Sequence, residues 1–440
     1  MYRYVIEDRR FVPPFNEPAS LLTIGTQPLK LHQEELFSTL PGRTVELRGV
    51  FADSSELPAV QGEAIVYRDN LWFDREFFEQ FLTTARKSQR ACRAAFAASD
   101  KAFSTYALPL AQDIHRSTDA EGNTIYLLDL WYFPHGYTRE ILPVVVSSDA
   151  HEMGFYMVPD FMTMKQGNLT HYAPMRGVMS IESWVHVYFA SVIFGNFARA
   201  GRLDRQINRS FFTSLKLLWK AVLEQKQILS ASGAVEIGPG CTIDPSAVIT
   251  GPAKIGSNCA IGAGVIIDNC TIGDNVTIDA GCMLYQSTVA NNCFLPFRAA
   301  LYLTSVMENV IIAQNTCLQM CVIGRNSFVG AGNTFTDFNL VAQKPIRAAT
   351  RDGDLEQVGQ IVLGSAIGHN CRIGSGMVVM PGRMIESDVV LIASAQRRVI
   401  ERSVSFEESD HHFVRGGEVH HRLYPRPGEL TAEESASDAW

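Results

Sequence analysis

The sequence has no apolar run of about 18 residues, so no segment is expected to cross a membrane as a helix. It has no excess of basic charge. Lys and Arg number 38 against 46 Asp and Glu, and the net charge is -8. Nucleic acid and anionic membrane are therefore not expected as main partners. No CxxC pair, P-loop, nucleophile elbow or HExxH occurs among the 440 residues. That removes the commonest zinc, nucleotide-hydrolysis and ester-hydrolysis signatures. The opening MYRYVIEDRR is charged and has no apolar h-region. No secretory signal is expected, and a cytoplasmic location is the expectation. With 46% hydrophobic and 19% charged residues, the composition is that of a folded chain of two or three domains. It excludes wholesale disorder, a collagen-like fibre and a disulfide scaffold.

What is present first is a repeat. From Ile237 an aliphatic residue recurs every six positions, at Ile243, Ile249, Ile255, Ile261 and Ile267. After a five-residue step it resumes at Ile272, Ile278 and Leu284, and a noisier stretch keeps Val306, Ile312 and Leu318 in step. Ile323, Val329 and Phe335 follow, then a second clean run at Ile361, Ile367, Ile373, Val379, Ile385 and Leu391. A period of six fits neither a helix nor a simple strand. It fits a coil of three short flat strands, one hexad each, with the aliphatic residue inward. Gly and Asn then fall at corners, where a positive φ is needed. The pattern resembles the hexapeptide-repeat families, whose coils are left-handed. The copies predict roughly seven or eight coils over residues 233–400.

Seven of the nine cysteines lie two residues before a repeat aliphatic, at Cys241, Cys259, Cys270, Cys282, Cys293, Cys321 and Cys371. That slot elsewhere holds Ala, Val, Ser or Thr, so they read as reduced, small core residues. Residues 341–360 break the repeat and are expected to leave the coil as an excursion. They carry Lys344, Arg347 and Arg351, then Asp352, Asp354 and Glu356. Residues 205–232 read as a connector helix with Phe212, Leu215, Leu218, Val222 and Leu229 near one face. Residues 401–440 form a polar tail with two His pairs, read as solvated. Residues 1–204 have no repeat. Apolar runs alternate there with helix-like segments, which predicts an α/β domain with a buried sheet.

Three pieces of that first domain resemble the sugar-1-phosphate nucleotidyltransferases. In residues 9–36, Arg10, Pro13, Pro18, Leu21, Pro28 and Leu29 match the family's opening motif, with one residue missing between Pro14 and Pro18. In IVYRDNLWFD, Asp69 matches the aspartate that holds magnesium. In WVHVYFASVIFGN, Trp184, Val187 and Asn196 match the closing segment. The resemblance implies a nucleotidyltransferase-like, Rossmann-like α/β domain followed by a left-handed hexapeptide β-helix, in the order of N-acetylglucosamine-1-phosphate uridyltransferases. It also implies a homotrimer. Arg10 and Lys30 are then the candidate substrate-binding cations of the first domain. Asp69 and His186 are the candidate metal ligands, for Mg2+.

The departures are chemical. EDRR stands at 7–10 where the family has glycines, so side chains would keep phosphates from the backbone amides. Ala19 replaces the motif lysine, Arg68 precedes Asp69, and His186 replaces the second magnesium aspartate. Magnesium prefers oxygen ligands. These changes predict that nucleotidyl transfer is lost, with a divergent active enzyme as the other reading. In hexapeptide acyltransferases, an excursion lines the acyl-donor site and a His is the general base. By that resemblance Lys344, Arg347 and Arg351 are candidate contacts for an acyl-CoA. His369, the only histidine in the repeat, is the candidate base, at a corner expected to face solvent or a subunit interface. Asp113 with His115, and Asp149 with His151, read as generic polar residues. Three functions remain: a transferase-family protein using a sugar nucleotide or acyl donor, a non-catalytic sugar-nucleotide binder, and a scaffolding oligomer.

Overall fold

The computed structural model describes residues 1–40, 44–156, 169–339, 344–413 and 420–429. The chain divides into two compact units. One comprises Met1–Arg10, Pro18–Leu22 and Pro28–Glu182. The other comprises Phe11–Glu17, Thr23–Gln27 and the chain from Ser183 onward. The division falls at Glu182, not at residue 204, because the helical run that follows packs on the β-helix. That run is mostly apolar and is buried almost throughout, over Trp184–Tyr188 and Phe189–Phe197. Asn196 ties it to the coil, donating to Thr288 at 2.9 Å.

The first unit is built on a mixed sheet. Its strand order is Leu142–Val145, Cys92–Ala97, Thr124–Phe133, Ala64–Arg68, Tyr2–Ile6, Glu46–Phe51. Tyr2–Ile6 runs parallel to both of its neighbours, and Thr124–Phe133 antiparallel to its three, of which His115–Thr118 is the seventh strand of the sheet. Ala64 to Tyr67 are all buried, as a central strand requires. The helix Arg75–Ser88 starts where Asp74 accepts from the Phe77 amide at 2.8 Å, and ends at Gln89 in the left-handed region. It buries Phe77, Phe78, Phe81, Leu82 and Ala85, each Phe contributing about 2 kcal/mol. The chain passes from Tyr2–Ile6 to Glu46–Phe51 on one side and then to Ala64–Arg68 on the other. Such a reversal opens a crevice at the strands' carboxyl ends. Glu7, Asp8 and Asp69 stand there.

The second unit is a left-handed hexapeptide β-helix of eight coils. Three parallel sheets carry eight strands each. The repeat aliphatics stack in register, for example Ile255 on Ile272, Val289, Val306 and Ile323 in turn. Ile323 then pairs with Ile367, so the excursion is looped out without shifting the ladder. Cys259, Cys270, Cys282, Cys293, Cys321 and Cys371 are buried in the same core, and all nine cysteines are free. Burial pushes the thiols of Cys270, Cys293 and Cys321 up to about 12. Asn258, Asn275, Asn292, Asn309 and Asn326 turn one corner with positive φ. Their side chains donate from one coil to the next, at 3.4 Å and then 3.1, 3.1 and 3.0 Å.

The expected connector is two helices, Ala198–Arg209 and Phe211–Glu224, because Ser210 adopts an extended conformation between them. Residues 401–429 are not a free tail where described. They cap the last coil: Ser409 Oγ accepts from the Val390 amide at 2.8 Å, and Asp410 from Ile392 at 2.6 Å. The tail histidines are not all solvated either, since His420 bonds to the Asn370 carbonyl at 2.9 Å.

Candidate functional site

The crevice of the first unit is a pocket of about 320 Å³. Arg3, Arg9 and Lys30 reach it, and so do Glu7, Asp8, Glu34 and Asp69. Its loop is closed on itself. The Asp8 amide donates to Asp69 Oδ1 at 2.8 Å, and the Arg10 amide donates to Asp8 Oδ1 at 3.1 Å. The Asp8 carboxylate is buried and also accepts from Asn70 and from the Arg10 guanidinium. Arg10 reaches onward to Asp113 and lies outside the pocket lining. It is held by two carboxylates, which raise its pKa. Sequence reasoning selected Arg10 and Lys30. It missed Arg3, which enters from the first strand and donates to Tyr67 at 3.0 Å. A charge within an otherwise apolar strand was the available signal.

These residues do not fit a magnesium ion. One oxygen of Asp69 is taken by an amide, and its neighbour Asp8 is neutralised by Arg10. His186 is fully buried on the helix Trp184–Tyr188 of the other unit. Among the described residues, no group of three or more His, Cys, Asp or Glu side chains is arranged to hold a metal. Asp69 instead behaves as a desolvated acid. Burial, with Asp8 and Glu7 nearby, pushes its pKa up to about 6 against the amide and Ser20 bonds that pull it down. A carboxyl with a raised folded-state pKa favours the fold below its unfolded value, and this contribution is lost as pH rises through about 6. Asp69→Asn should therefore stabilise the protein at pH 7 by about 2 kcal/mol. The gain should vanish below about pH 4. Chemical denaturation at the two pH values measures it, and an equal effect at both would sink the assignment.

In the second unit the repeat corner carries Glu308, Arg325 and His369 on successive coils. His369 is fully buried, which corrects the expectation that it faces solvent or a subunit interface. The segment Phe11–Glu17 and Tyr424 cover it. Phe15 lies 5.1 Å from its ring and Tyr424 4.7 Å. The Arg325 amide donates to His369 Nδ1 at 2.9 Å. An amide can only donate, so Nε2 carries the proton and donates to Glu17 Oε1 at 3.1 Å. Both ring nitrogens are engaged, and burial lowers the pKa against the pull of Glu17. Arg325 pairs with Glu17 and Glu308, each at 2.8 Å. Thr23 donates to Glu308 at 2.6 Å. This is a latch between the start of the chain and the coil. Nothing in the sequence marks Glu17 as its centre, since the pairing spans 352 residues.

The excursion folds as a hairpin, Arg347–Ala349 against Leu355–Gln357. It closes over the corner between the third and first sheets, one coil further on, and leaves a cavity of about 500 Å³. Lys344 and Arg347 line it, and Arg383 joins them from the coil. Arg351 lies outside the lining. Residues 341–343 lie outside the described residues. Ile346, Leu355, Met380 and Pro381 form the apolar wall. Gly382 permits the approach: it has φ +71, and a Cβ there would meet the Arg347 carbonyl at 2.5 Å. Arg383 was missed, although it sits at the corner from which the excursion leaves one coil earlier.

An α/β unit with a switch-point crevice, joined to an eight-coil hexapeptide β-helix, defines the class of this protein. It resembles the sugar-phosphate nucleotidyltransferases that carry such a repeat. The GMPPB C-terminal domain family matches residues 231–298, within the first four coils. No curated protein matches the chain in sequence. Among solved structures, it is similar to the UDP-N-acetylglucosamine O-acyltransferase of Moraxella catarrhalis at 14% identity. That match covers 36% of this chain and 70% of the other, with a TM-score of 0.25. A Bacillus cereus protein described as an acetyltransferase is similar at 19% identity over 40% of this chain and 87% of the other, with a TM-score of 0.21. At these scores neither bears on chemistry. No helix among the described residues is long and apolar enough to cross a membrane.

Proposed function

We propose that this chain is a transferase-family protein, related to the sugar-phosphate nucleotidyltransferases and hexapeptide acyltransferases, in which nucleotidyl transfer is lost. One observation carries the reading. The amides of Asp8 and Arg10, where phosphate oxygens would be cradled, donate instead to Asp69 and Asp8. Carboxylates fill the place of the phosphates, and an incoming nucleotide would meet negative charge rather than donors. The assay is pyrophosphate release from nucleoside triphosphates and sugar phosphates with magnesium or manganese. The expected result is none, for the native chain and for Asp69→Asn alike. Release that is lost in Asp69→Asn would restore the active-enzyme reading.

The excursion cavity favours a second element of the reading. Lys344, Arg347 and Arg383 beside an apolar wall suit a ligand with phosphates and an aliphatic arm, such as an acyl-CoA. Among the described residues, the cavity lining offers no His, Cys, Ser, Asp or Glu as base or nucleophile, and His369 has both nitrogens occupied. The reading is therefore binding, with the coil as a homotrimeric cytoplasmic platform. Arg383→Ala should weaken acyl-CoA affinity about tenfold by calorimetry, the value of one charged hydrogen bond. Unchanged affinity would remove the cavity from the ligand's path.

A further inference from the structure

The helix Phe211–Glu224 is turned the wrong way round for a surface helix. Only Leu217 and Ala221 of its large and small apolar residues are buried. Phe211, Phe212 and Trp219 are 76%, 82% and 64% exposed, and Leu215, Leu218, Val222 and Leu223 are exposed as well. At 3.6 residues per turn the seven fall in one arc on the side away from Leu217 and Ala221. Lys216 and Lys220 border the arc and no charge interrupts it before Lys226. The three rings alone present on the order of 400 Å². With the aliphatics, the patch exceeds the roughly 300–600 Å² of the largest patch on an ordinary monomer. It approaches the roughly 800 Å² that each side of a stable interface buries.

The patch does not end with the helix. Ile228 and Leu229 continue it, and the Leu229 carbonyl accepts from the Gly251 amide at 2.7 Å at the edge of the third sheet. There Val248, Ile266 and Met283 stand in register on successive coils, all pointing outward and all exposed. The stripe thus runs along a helix and then up a rod of stacked coils.

We propose that this stripe is the interface between copies of this chain, with the helix Phe211–Glu224 as its anchor. A second copy offers a stripe of the same length and composition on the same rod, as a symmetric interface requires. A lipid surface is disfavoured by the net charge of -8 and by the continuation of the stripe onto a sheet. The inference specifies where the self-association in the proposed function occurs, and it is independent of ligand binding.

The test is light scattering on the full chain and on Phe212→Glu with Trp219→Glu. The native chain is expected to form a closed oligomer. The double variant is expected to dissociate at concentrations about 100-fold higher or to be monomeric. Its thermal midpoint at high dilution should be unchanged, because both side chains are exposed in the single chain. An oligomer of unaltered stability overturns the inference while leaving self-association standing. A native monomer at every concentration overturns both. Binding of the native chain to phosphatidylglycerol vesicles, lost in the variant, overturns it in favour of a membrane. Should the variant misfold, Trp219 in the native chain provides the second measurement. Its accessibility to acrylamide, taken against Trp219→Phe, should fall as the oligomer forms. Constant accessibility overturns the inference.

Discussion

Glu17→Ala is expected to destabilise the β-helix unit by about 3–5 kcal/mol, the cost of removing one partner from a buried ion pair. Glu17 receives both the Arg325 guanidinium, at 2.8 Å, and the His369 ring, at 3.1 Å. Alanine takes one of the carboxylates from the arginine and leaves a buried Nε2–H without its acceptor. The melting temperature should fall by roughly 10 °C. Glu17→Gln retains an acceptor for His369 and should lose about half as much. Equal stability of the alanine variant and the native chain would show that the latch is not a stabilising contact. The latch also sets a pH dependence. His369 faces Glu17, Arg325, Glu308 and Tyr424, and burial holds its pKa below the ordinary value. A histidine buried neutral contributes stability above its unfolded pKa, and this is lost as pH falls below about 6.5.

Gly364→Ala is the second large effect. Gly364 is where the excursion rejoins the coil. A Cβ there would stand 2.0 Å from the Gln319 carbonyl and 2.7 Å from that of Met320. Both obstacles are backbone, so neither can rotate away. The excursion must lift or the coil must part, at about 3 kcal/mol or more. Acyl-CoA affinity should fall with it, since the hairpin that carries Arg347 is anchored at that point. Gly353 is the contrast. It turns the hairpin tip with φ +92 and nothing within 4 Å of its Cβ position. Alanine there should cost about 1 kcal/mol of backbone strain and leave binding intact. Equal effects at the two glycines would mean that backbone conformation, not packing at the rejoining point, governs the excursion.

The repeat was legible because it is local. Each hexad places its own aliphatic inward, and each copy reinforces the register of the next, so Ile255 to Ile323 could be stacked from spacing alone. The excursion was legible for the same reason in reverse, as a gap in the period between Leu340 and Ile361. The α/β sheet was legible only in outline, since apolar runs such as Ala64 to Tyr67 mark a central strand but not its neighbours. His369 was misread. Its corner slot takes any polar residue when solvent covers it. Here a segment from the far end of the chain covers it, and no local pattern records that.

The sequence by itself determined the coil, its eightfold stacking within one, its reduced cysteines and the loss of glycines from the phosphate turn. Each rests on residue types at short, regular spacing. Tertiary structure alone decided that the Asp8 and Arg10 amides are spent on carboxylates. It alone decided that Arg383 completes a basic cavity, that Glu17 buries His369, and that the helix Phe211–Glu224 faces outward. Those outcomes depend on contacts between residues far apart in the chain, whose energies no window of sequence contains.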